Sequence, residues 1–77
     1  MEKLLAILKE MHPETDFETE THLVDDGVLV SFDIVMLITR IEEEFNVVIS
    51  AKDIVPAHFN SANALYALIA KIAEQDD

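Results

Sequence analysis

The apolar positions of the chain fall into three runs of helical period, separated by stretches that keep none. Leu4, Leu5, Leu8 and Met11 recur at spacings of three and four, so Glu2 to Met11 is predicted to be a helix. His12-Pro13 ends it, because a proline disfavours the helical region for the residue before it. From Glu14 to Leu29 no period is sustained. Phe17, Leu23 and Leu29 are the side chains expected to pin this long loop to the core. A loop of this length in a small domain is usually functional or mobile.

The strongest helical signal runs from about Ser31 to Phe45. Ile34, Leu37, Ile38, Ile41 and Phe45 share one face, and Leu37, Ile38, Ile41 and Phe45 are expected in the core. Asn46 marks its end, and Val47, Val48 and Ile49 lead away. Ser50-Ala-Lys-Asp53 reads as a capped short helix closed by Pro56. His58-Phe59-Asn60 reads as a connection. A last helix is predicted from Ser61 to Glu74, with Leu65, Leu68, Ile69 and Ile72 on one face and a frayed tail over Glu74 to Asp77. The pattern predicts one all-α domain over residues 1–77. It is a small four-helix bundle with three longer helices, one short helix and a long first loop.

Composition narrows what such a bundle can do. With 77 residues the chain builds one small core. It has no cysteine, so neither a disulfide nor a protein thiol is available. Sixteen acids against five bases give a formal charge of −11, which disfavours nucleic acid and suits basic patches on other proteins. No run is long and apolar enough to span a membrane, and no signal-peptide pattern opens the chain. The expectation is a soluble, cytoplasmic monomer.

Candidate chemistry centres on Ser31, which sits where the loop becomes a helix. A G-x-S-x-G nucleophile elbow is absent around it. Nothing in the spacing of His12, His22 and His58 ties a base to it, so an enzyme is not expected. Asp25-Asp26-Gly27 faintly resembles a calcium loop, but the EF-hand pattern is missing and no dedicated metal site is expected. Serine is a favoured helix N-cap, and Asp33 in the first turn suits the positive end of the dipole. Phe32, Val35 and Met36 lie off the core stripe. Either they pack under the long loop, or they form an exposed apolar patch beside Glu42 and Glu43.

Taken together, the stretch Gly27-Val-Leu-Val-Ser31-Phe-Asp-Ile-Val-Met-Leu37, then Ile41-Glu-Glu-Glu-Phe45, resembles the acyl/peptidyl carrier proteins. The segment Ile49-Ser-Ala-Lys-Asp-Ile-Val-Pro56, followed by Phe59-Asn-Ser61 and Leu65, fits the same pattern. The likeness covers nearly the whole chain and leans toward the discrete acidic carriers near the D-alanyl carrier branch, where Ser-Phe replaces Ser-Leu. The resemblance implies that Ser31 takes 4′-phosphopantetheine from coenzyme A. It further implies that the arm carries an acyl or aminoacyl thioester to partner enzymes. The implied partners are a phosphopantetheinyl transferase and a loading ligase or synthase with a basic docking surface. They would read Phe32, Asp33, Val35, Met36, Thr39, Glu42 and Glu43. This chain differs from the family in having Val30 where an Asp precedes the serine, Met36 where an acid is common, and Arg40 on the second helix. The alternative is a carrier-like interaction module that is never loaded and binds a basic partner through its acidic second helix.

Overall fold

The computed structural model describes residues 1–75, and these fold into helices with no strand among them. Helix α1 spans Glu2–Met11, α2 Ser31–Phe45, α3 Pro56–Phe59 and α4 Ala62–Gln75. Helix α1 packs against both α2 and α4, and α3 packs against α4. The expected bundle of three longer helices and one short one is present. Glu74 and Gln75 are helical, and the rest of the tail expected to fray, Asp76 and Asp77, lies outside the described residues.

The core is continuous and wholly apolar. Leu4, Ile7 and Leu8 of α1, Leu37 and Ile41 of α2, Phe59 of α3, and Ala62, Leu65, Leu68 and Ile69 of α4 are buried together. Phe17, Leu23 and Leu29 join them, so the loop is pinned as its apolar residues require. Two details differ from the wheel drawn on sequence. Ile7 is buried while Leu5 and Met11 are partly exposed, because α1 meets α2 and α4 along a stripe centred between Leu4 and Leu8. Ile34, Ile38 and Phe45 flank the core and are only partly buried. They lie at the edges of the α2 stripe, whose centre is Leu37 and Ile41.

The short helix is displaced from its expected place. Ala51–Asp53 forms only a single 3₁₀ turn, and the Ser50 side chain does not cap it. The α-helix lies over Pro56–Phe59, where a connection was expected. Pro56 opens this helix rather than closing the preceding one. Proline is favoured at a first helical position, where no N–H is needed. It also holds Val55 extended, at φ −128° and ψ 152°. Helix α4 starts one residue after Ser61, whose Oγ accepts the Ala64 N–H at 3.0 Å as an N-cap.

Candidate functional site

Ser31 is exposed and is the first residue of α2. The N-cap is Val30, so the expectation that the Ser31 hydroxyl caps the helix is not met. The backbone explains the shift. Val30 is extended at φ −100° and ψ 174°, and its carbonyl accepts the first intrahelical N–H, from Ile34 at 3.0 Å. Valine offers no side-chain acceptor. Half of a capping box forms nonetheless, because Asp33 Oδ2 accepts the Val30 N–H at 3.2 Å. The Ser31 hydroxyl is left out of this arrangement and stands at the positive end of the α2 dipole.

The Asp33 carboxylate has a second task. Its Oδ2 lies 3.1 Å from His12 Nε2, across to the residue that ends α1. A carboxylate accepts, so the ring nitrogen facing it carries the proton. The other ring nitrogen, Nδ1, is 3.7 Å from Glu14 Oε1. His12 thus ties the end of α1 to the start of α2. No periodicity or motif pairs residues so distant in sequence, and the sequence reading missed the contact.

Beside Ser31 the outer face of α2 is apolar. Val30 is 53% exposed, Phe32 71%, Val35 62% and Met36 46%. The long loop does not cover them, and of the two readings the exposed patch is the one realised. Phe32, Val35, Met36, Thr39 and Glu43 recur at spacings of three and four and so share one exposed stripe. Thr39 turns its hydroxyl to its own helix, donating to the Val35 carbonyl at 3.2 Å.

The acids of α2 are not equivalent. Glu42 Oε2 accepts the Ile49 N–H at 2.9 Å and so fastens the segment after the helix. Asn46 reverses the chain between them in the left-handed conformation, at φ 56°. Glu44 meets Lys3, which donates to its carbonyl at 3.1 Å and sits 5.5 Å from the centre of the Phe45 ring. Glu43 is exposed and makes no ion pair among the described residues. Arg40 is drawn to Glu10 of α1 at 3.1 Å, so its positive charge is paired rather than presented.

The structure therefore brings Ser31, Phe32, Val35, Met36, Thr39 and Glu43 to one accessible surface. Asp33 and Glu42 border it with carboxylates already engaged. No known family model matches the chain, and no curated protein or solved structure shows significant similarity to it.

Proposed function

We propose that the protein is a carrier that takes 4′-phosphopantetheine on Ser31 and delivers an acyl or aminoacyl thioester to partner enzymes. The observation that carries this reading is the position of Ser31: exposed, first in α2, uninvolved in the cap, and next to an uncovered apolar stripe. In the proposed reaction Ser31 Oγ attacks the coenzyme A phosphorus that bears the pantetheine. The pyrophosphate bond breaks, adenosine 3′,5′-bisphosphate leaves, and a base of the transferase takes the hydroxyl proton. The new phosphodiester would lie at a helix N-terminus, where backbone N–H groups and the dipole favour an anion. The thiol of the arm would then supply what a cysteine-free chain lacks.

Partner enzymes would dock on Phe32, Val35 and Met36, with Thr39 and Glu43 on the same stripe. An apolar patch rimmed by acid suits a partner face of apolar pockets with a basic border. The transferase and the loading ligase or synthase would both need such a face.

Incubation with coenzyme A and a broad-specificity phosphopantetheinyl transferase tests the reading by intact mass. One phosphopantetheine adduct is expected on the parent chain and none on Ser31→Ala. Absence of an adduct with several transferases, or an adduct that survives in Ser31→Ala, would overturn it. The first outcome favours the second reading, an unloaded module that binds a basic partner. Val30 motivates that reading, since it removes the carboxylate that resembling carriers place before the serine. A partner that binds unmodified protein and ignores Ser31→Ala would establish it.

A further inference from the structure

On the long loop, two carboxylates and an imidazole converge outside the site described above. One ligand atom from each of Glu20, His22 and Asp26 lies within 4.8 Å of the others. Ligands at the bond lengths of a small divalent ion stand about 3.4 Å apart in a tetrahedral shell. Closing the set from its widest separation therefore shortens it by about 1.4 Å.

The backbone beneath is firmly held. The Asp26 N–H donates to the His22 carbonyl at 2.7 Å, which places these two side chains on the same side of one turn. Leu23 between them is buried, and its N–H donates to the Asn60 carbonyl at 2.8 Å. Gly27 closes the turn at φ 77°, a conformation that a glycine adopts without strain. Asp25 is drawn away to Asn60 Nδ2 at 3.3 Å, so Asp26 is the acid of this pair left to the set. The Thr21 hydroxyl lies 3.2 Å from His22 Nδ1 and orients the ring, as outer partners of metal-binding histidines do.

Charge points the same way. Residues 14–29 contain Glu14, Asp16, Glu18, Glu20, Asp25 and Asp26 and no Lys or Arg. A dication would relieve repulsion that no side chain of the loop offsets. The imidazole decides the class of ion. Magnesium and calcium take all-oxygen shells, whereas one nitrogen with two carboxylates suits zinc and its transition-metal neighbours.

We propose that Glu20, His22 and Asp26 bind one divalent transition-metal ion, with water completing the shell, and that the ion clasps the long loop. This proposal is independent of the carrier reading. Calorimetric titration of the chelator-treated full chain with zinc tests it. One zinc per chain is expected, with affinity falling at least about tenfold in His22→Ala and in Asp26→Asn. Glu18→Gln, an acid of the same loop outside the set, should keep the parent affinity. Calcium should bind more weakly and ignore His22→Ala. Circular dichroism confirms that each variant is folded. Zinc-induced shifts of the His22 imidazole resonances in the parent chain give a readout that needs no variant. Several weak sites per chain, equal losses in Glu18→Gln and His22→Ala, or unmoved His22 resonances would each show adventitious binding and overturn the proposal.

Discussion

Asn60 accepts the Val24 N–H on its side-chain oxygen at 2.9 Å, so the junction of α3 and α4 holds the loop that leads into Ser31. The same oxygen accepts the Asp25 N–H at 3.1 Å, and the Asn60 carbonyl accepts the Leu23 N–H. Three successive backbone donors are thus met by one residue. Asn60→Ala keeps the carbonyl bond and strands the other two donors. It is expected to cost about 1–3 kcal/mol in urea unfolding, toward the lower end because water reaches Asp25. A loss below about 0.5 kcal/mol would mean that water replaces Asn60 without penalty.

Much of this bundle can be read from the order of its residues. The stripe of α2, the ends of α1 at Met1 and His12-Pro13, and the pinning of the loop by Phe17, Leu23 and Leu29 all follow from period and proline. These are local rules acting on strong patterns. What escaped is non-local. Asn60 reads as an ordinary connection residue until the fold brings Val24 to it. His12 and Asp33, or Glu20, His22 and Asp26, meet only after the chain has turned. Around Pro56 two local rules compete, since proline can follow one helix or open another. Four residues of α3 are too few for periodicity to decide between them.

Neighbouring residues on α2 offer a direct test of its rotation. Leu37 is fully buried, while Met36 before it is 46% exposed. Leu37→Ala is expected to cost about 2–5 kcal/mol through lost burial and a residual cavity. In a chain this small that approaches the whole stability. Met36→Ala should stay within about 0.5 kcal/mol of the parent. Equal losses at both positions in denaturant titrations would show that the outer stripe is covered in solution.

Glu42 makes a different point, because a surface acid is performing a structural task. Its Oε2 accepts the Ile49 N–H at a partly buried position, and Ile49 itself is buried. Glu42→Ala is expected to lose about 1.5–3 kcal/mol, the range for a hydrogen bond to a charged group. Glu42→Gln retains an acceptor oxygen and should lose clearly less. On the carrier reading, Glu43→Gln should instead leave stability unchanged and weaken partner docking, measured as a raised KM for the modifying transferase. Reversal of these two roles would move the docking surface around the helix.

Val30 joins the stability of the helix start to the chemistry proposed for Ser31. Its backbone already has the N-cap geometry, and Asp33 already returns a bond to its N–H. Only the reciprocal acceptor is missing, and with it a partner for an N–H of the first turn. The side chain is 53% exposed, so replacing it forfeits little packing. Val30→Ser completes the box and is expected to stabilise the chain by about 0.5–2 kcal/mol. Val30→Asp also supplies an acceptor, but it sets a second carboxylate beside Asp33, and that repulsion should make its gain the smaller one. The rates should order the other way. A carboxylate next to Ser31 attracts a basic transferase, and a serine there does not. Initial modification rates at fixed transferase concentration are therefore expected to rise in Val30→Asp and stay near the parent in Val30→Ser, while melting curves favour Val30→Ser. If Val30→Ser speeds modification as much as Val30→Asp, the ordering of the helix start governs transfer, and the charge before Ser31 does not.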